Sequence, residues 1–292
     1  MSTVLSLFLS AVLAVCSLAS AVSQISSPGG PVPALQAAEP LSAAQKQSFA
    51  QERQEEYAGQ RAAGMAVLPT REAVNALLLQ VPGAGEQERA VLNARLAACG
   101  VYEFTGAEVF RTNTGLGDVY LDPPAIYYEA WSGCWSITCG GVWNSAEYGG
   151  ANISGAVGGP DAFGVGFTHT NGQYSAKVVC AAACLADEGR AQYEWTDECV
   201  KAGEDGFMFQ LQDSCPNPKS YVGQNWAGVC TYDQGFGAYS GVATACYTHT
   251  YGAPAGYTLF FGPAGVEAEP VLEESMVTMY SSDATFGNYP FG

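Results

Sequence analysis

The chain has 292 residues, 48% of them hydrophobic and only 13% charged, which is enough apolar material for a real core and the wrong balance for a disordered chain. Acidic residues outnumber basic ones 28 to 11, and the resulting net charge of -17 would repel phosphate backbones, which argues against nucleic acid as a partner.

Met1 to about Ala21 is an apolar run ending in the small triplet Ala19-Ser20-Ala21, the pattern of a secretory signal and its cleavage site, although no Lys or Arg precedes it. An uncleaved anchor, or a lipid on Cys16, is the alternative. Residues 22–41 are rich in Ser, Pro, Gly and Ala and read as a linker. No later stretch is long and apolar enough for a membrane-spanning helix, so the expected product is secreted and extracellular.

Ser42 followed three residues later by Gln45 is a capping box, and the Ala, Gln, Glu and Arg residues after it favour a helix up to Ala63. A second helix is expected from Thr70, carrying Leu77, Leu78 and Leu79 and stopping before Pro82. A third runs from about Glu86 to Ala98 and ends at Gly100. Residues 42–98 therefore form a helical segment, with a propeptide as one reading of it.

From Val101 the chain switches to aromatic and β-branched runs separated by glycine. Glu108 to Arg111 and Asp118 to Leu121 suggest a hairpin, broken by Pro123-Pro124. Further strands are expected at Ala125 to Trp131, Trp135 to Thr138, Phe163 to Thr170, Gln173 to Val179, Gln192 to Trp195, Phe207 to Leu211, Gly241 to Thr250 and Tyr257 to Phe261. The fold class is therefore mainly β, an antiparallel sandwich or barrel over residues 99–265 with an N-terminal α-helical segment. Cys180 and Cys184 have helical spacing and suggest a short helix within it. Residues 266–292 read as an acidic and aromatic tail.

Nine cysteines follow the leader: Cys99, Cys134, Cys139, Cys180, Cys184, Cys199, Cys215, Cys230 and Cys246. Behind a leader they imply a disulfide framework that staples the sheet, with one cysteine left unpaired or joined to a second chain as a disulfide-linked dimer. A zinc site is disfavoured because no Cys-x-x-Cys pair occurs and the chain has only two histidines. Asn152-Ile153-Ser154 is a glycosylation sequon and marks the chain as a candidate glycoprotein.

Two segments share aromatic-Thr-His-Thr-x-Gly, one around His169 and one around His249. Paired strands carrying them would bring two imidazoles together, and a metal there would need a third ligand such as Asp161 or Asp233. Otherwise no cofactor is implied. Glu129 lies between Tyr127 and Trp131 on one strand face, the setting a glycosidase carboxyl or a sugar-stacking platform would need. Glu194, beside Tyr193 and Trp195, faces differently and makes a poor second carboxyl. No Gly-x-Ser-x-Gly nucleophile motif or phosphate-binding loop is present.

Cys180-Ala-Ala-Ala-Cys184-Leu-Ala-Asp, continuing to Gln192-Tyr193-Glu194-Trp195, is similar over some twenty residues to the helix-then-strand segment of PAN/apple modules. Those are extracellular binding domains for proteins or sugars, and Arg190 stands near where a further cysteine would be sought. The leading functional expectation is a secreted recognition protein that binds a glycan or an extracellular protein through an aromatic β face of Tyr127, Trp131, Tyr247 and Tyr251. The rivals are a secreted hydrolase using Glu129 or a His169/His249 metal site, and a disulfide-crosslinked matrix component.

Overall fold

The computed structural model describes residues 43–66, 68–104, 119–143, 155–169, 176–190, 193–217, 220–239, 241–250, 257–262, 265–270, 276–280 and 284–285. The expected leader and linker, the expected strand 108–111, Asn152 and Tyr251 lie outside them. No helix among the described residues is long and apolar enough to cross a membrane.

Among the described residues three helices come first: α1 (Ala43–Ala62), α2 (Arg71–Leu78) and α3 (Glu86–Ala98). Thr70 caps α2 by accepting a hydrogen bond from the Ala73 amide. Gly100 closes α3 with φ of 71°, a conformation that only glycine adopts without strain. The strands follow as β1 (Val101–Glu103), β2 (Val119–Glu129), β3 (Trp135–Trp143), β4 (Gly155–Ala156), β5 (Asp161–His169), β6 (Val178–Ala186), β7 (Tyr193–Thr196), β8 (Lys201–Gly203) and β9 (Gly206–Leu211). The series continues with β10 (Ser214–Asn217), β11 (Ser220–Val222), β12 (Asn225–Tyr232), a 3-10 turn at Gln234–Ala238, β13 (Gly241–Thr250), β14 (Tyr257–Gly262), β15 (Gly265–Pro270), β16 (Met276–Tyr280) and β17 (Ala284–Thr285).

Every strand pairing is antiparallel, and two sheets carry the fold. The first runs β1-β2-β3-β12-β6-β7, and the second runs β16-β13-β5-β9-β8 with β17 also on β13. Side chains alternate along the first sheet, so it has two apolar faces. Ile126, Ile137, Leu185, Trp226 and Cys230 meet Phe163, Val165, Phe207, Phe209 and Tyr247 of the second sheet. Ala125, Tyr127, Ala182 and Val229 instead meet Val74, Leu77, Leu78, Leu92 and Leu96 of α2 and α3. The architecture is thus helices on a sheet on a sheet, and each fully buried leucine in the helical layer contributes roughly 2 kcal/mol. Removing residues 42–98 would uncover that face.

Several expectations are corrected. Residues 178–186 form a strand rather than a helix, so the likeness to a helix-then-strand segment fails there. Cys180 and Cys184 do share a face, because positions four apart also align on a strand. Pro123 and Pro124 do not end β2; the register shifts between Asp122 and Ala125, where β1 no longer pairs with β2 and the missing amides cost no ladder bond on that side. The acidic segment after Gly265 adds strands, with β16 pairing along β13 from Cys246 to Thr250.

The disulfide framework is also corrected. All nine cysteines after the leader are free thiols. Cys139 and Cys230 point between the sheets, with the Cys199 thiol in hydrogen-bond contact with Cys230, while Cys180 and Cys184 sit four residues apart on one strand. That spacing is about 13 Å, beyond the ~7 Å between Cα atoms that a disulfide can bridge.

Candidate functional site

The two histidines are not brought together. The β5–β13 ladder is antiparallel, with His169 opposite Gly241 and Ala162 opposite Thr248. The duplicated motif therefore runs in opposite directions on neighbouring strands, and His249 lies eight positions from the partner of His169, about 27 Å along the ladder. Asp233 is elsewhere, capping the 3-10 turn by accepting from the Gly235 amide at 3.0 Å.

His249 instead meets Asp161, a candidate third ligand, and Asp213, which no motif marks. Asp161 opens β5, Asp213 lies in the link between β9 and β10, and His249 is near the end of β13. All three are 0% exposed. His249 Nδ1 lies 3.0 and 3.1 Å from the two oxygens of Asp161 and 3.9 Å from Asp213 Oδ2. Neutral donors hold the carboxylates in place. Tyr247 donates to Asp161 at 2.5 Å, the Thr250 amide donates to Asp161 at 3.1 Å, and Tyr221 donates to Asp213 at 2.6 Å. The Gln212 amide reaches Asp213 Oδ1 at 3.2 Å.

Aromatic rings wall the cluster. Trp226 stacks on Tyr247 with centroids 4.0 Å apart, and Trp143 meets the His249 ring edge-on at 5.2 Å. Thr250 and Gly159 close one end, the Thr250 hydroxyl donating to the Gly159 carbonyl at 2.5 Å and accepting from its amide at 2.8 Å.

The electrostatics follow from this dry setting. Burial, and then the nearby charge of Asp161, push the Asp213 carboxyl up to about 7, against the smaller pull of Tyr221 and His249. Burial alone would lower the His249 imidazole, but the hydrogen bond and charge of Asp161 and the charge of Asp213 raise it overall. Burial and Asp161 both push the Tyr247 phenol well up, so it stays a donor. Chemically, the cluster can share a proton among three groups or surround a small cation.

Glu129 is also 0% exposed but is differently placed. Arg71 of α2 grips both of its oxygens, Nη2 to Oε2 at 2.7 Å, and Ser132 and Ser136 donate to it at 2.7 Å each. Arg71 in turn lies 4.7 Å over the Trp131 ring. This carboxylate fastens a helix to the sheet, and its lone pairs are occupied. The expected aromatic face is corrected as well: Tyr127 and Tyr247 are fully buried, one under the helices and one between the sheets, so neither offers a ring to a ligand. Trp195 of β7, by contrast, is 69% exposed.

No family model matches the chain. No curated protein matches it either. Among solved structures, a chain from a study of pH-induced modulation of Streptococcus parasanguinis adhesion by Fap1 fimbriae is similar at a TM-score of 0.29 and 9% identity, over 58% of this chain and 82% of that one. A likeness at that score carries no argument about fold or function.

Proposed function

We propose that the chain is a secreted, extracellular recognition protein that binds a neutral glycan at the free edge of the helix-covered sheet, with Trp195 as the stacking platform. The observation that carries this reading is the 69% exposure of Trp195 on β7, the last strand of its sheet. An indole left in water forgoes one of the largest burial gains available to any side chain, and sugar rings stack on such faces through their C–H bonds. Glu194, Asp197 and Glu198 around it are exposed and can accept hydrogen bonds from hydroxyl groups. Their charge disfavours acidic glycans. β7 is the last strand of its sheet among the described residues, so strand addition by an extracellular protein is the competing occupant.

The hydrolase reading finds less support. Glu129 is held by Arg71, and the cluster of Asp161, Asp213 and His249 has no exposed atom surface through which a substrate would arrive. The crosslinked-matrix reading needs a reactive surface thiol, whereas Cys134, Cys139, Cys230 and Cys246 are buried and the others are half-buried.

The test is a glycan array probed with the full chain and with Trp195→Ala. The expected result is binding to a subset of neutral glycans that falls at least tenfold in the variant, with an unchanged melting temperature. No glycan binding by the wild type, or equal binding by the variant, would refute the proposal.

A further inference from the structure

We propose that Asp161, Asp213 and His249 form a buried three-ligand site for one divalent first-row transition-metal ion, with Zn2+ the best fit. Each of the three side chains offers a donor atom, and these atoms lie within 4.8 Å of one another in a fully buried setting. The separations of 3.0 Å and 3.9 Å from His249 Nδ1 to the two carboxylates bracket the ~3.3 Å spacing of donors around a tetrahedral ion with bonds of about 2.0 Å.

Charge provides an independent argument. Two carboxylates share a dry site, and His249 is the only cationic partner of either among the ion pairs of the described residues. Neutral donors make the other contacts to them: Tyr247, Tyr221, Gln212 and the Thr250 amide. A divalent ion with a neutral imidazole and two carboxylates makes an uncharged unit, which is what a low-dielectric interior tolerates. The tyrosine hydroxyls then hold ligating carboxylates in orientation, as the outer shell of a metal site does.

The donor set selects the ion. Calcium and magnesium prefer six or more oxygens, whereas a mixed nitrogen and carboxylate set suits zinc and its neighbours. None of the nine cysteines belongs to this cluster, so the site contains no thiolate. Its ligands come from β5, from the β9–β10 link and from β13, and the ion would pin these three pieces together. Nothing here depends on the glycan reading.

The experiment strips the full chain with EDTA and titrates it with Zn2+ and, separately, with Co2+ and Ca2+, following heat of binding, melting temperature and visible absorption. The expected result is one Zn2+ per chain, a rise in melting temperature of about 5–10 °C at a free concentration 100 times the dissociation constant, and no response to Ca2+. The Co2+ form should show a d–d spectrum without the charge-transfer band of a thiolate. Asp213→Asn should keep its fold and lose Zn2+ affinity at least 100-fold. Absence of one-to-one binding, a thiolate band in the Co2+ form, or undiminished binding by a folded Asp213→Asn would each overturn the proposal. If that variant does not fold, the wild-type stoichiometry and Co2+ spectrum decide the matter alone.

Discussion

Two buried carboxylate centres lie on opposite faces of one sheet, and they solve the same electrostatic problem differently. On the helix side Glu129 faces a full guanidinium, and Arg71 satisfies both of its oxygens. Between the sheets, Asp161 and Asp213 share a single imidazole. A buried charge with its own fixed counter-charge needs nothing more and acts as a fastener. A pair of buried charges with one weak base between them is short of positive charge, and that shortfall is what a proton or a cation can fill.

The largest effect is expected on the helix side. Arg71→Ala leaves Glu129 charged and buried, and it should cost about 3–5 kcal/mol, or roughly 10 °C in melting temperature, by urea or thermal unfolding. Replacing both partners, Arg71→Met with Glu129→Leu, should recover most of that loss. If the single variant is nearly neutral, Glu129 is not fastened as described and its role as a catalytic carboxyl reopens.

A second test sharpens the contrast through the buried thiols. Burial pushes the Cys139, Cys230 and Cys246 thiols above their ordinary value. A thiol held neutral in the fold contributes stability that is complete below the unfolded pKa and is lost as pH rises through it toward the raised folded value. Unfolding free energy should therefore fall above about pH 9, by about 1.4 kcal/mol per pH unit for each such thiol. Cys184, pushed up to about 11 by burial on the helix-facing side, should join them over a narrower range. A flat alkaline profile, with no thiol released on unfolding under non-reducing conditions, would restore the disulfide framework.

A smaller effect separates the centres by sign. In metal-free protein at neutral pH, Asp213→Asn removes one of two crowded charges while its amide oxygen can still accept from Tyr221, so the melting temperature should rise by ~3 °C. The corresponding isosteric change at the fastener, Glu129→Gln, should lower it. Smallest of all, Trp195→Ala should change stability by under about 0.5 kcal/mol, because its ring already stands in water.

Much of the fold was legible in the chain. The helices announce themselves through Thr70 and Gly100 at their ends, and β13 spans the expected Gly241 to Thr250. The central strand β12 was not legible, since Asn225, Ala227 and Gly228 weaken its strand signal. Gly228 is there because any Cβ would sit 2.8 Å from the Phe209 ring. Alternation found the faces but could not say which was wet, because helices cover one side of the sheet and strands the other. Tyr127 was misread for that reason, and Tyr247 because its face of the second sheet packs on the first. His249 stood out through its motif, and Asp161 was one of two candidate third ligands, though no spacing singled it out. Asp213 and Arg71 did not, for their partnerships are made across the fold, 58 residues apart in the case of Arg71 and Glu129.

The most direct test of the contrast is a pH titration of the aspartate side-chain carbonyls by 13C NMR in metal-free protein, with Asp213→Asn to assign the signal. The account predicts one aspartate, absent from the variant, titrating near pH 7. A spectrum in which the Asp213 signal titrates near the ordinary value of 3.8 would mean the centre between the sheets lacks no positive charge, and the distinction drawn here would fall.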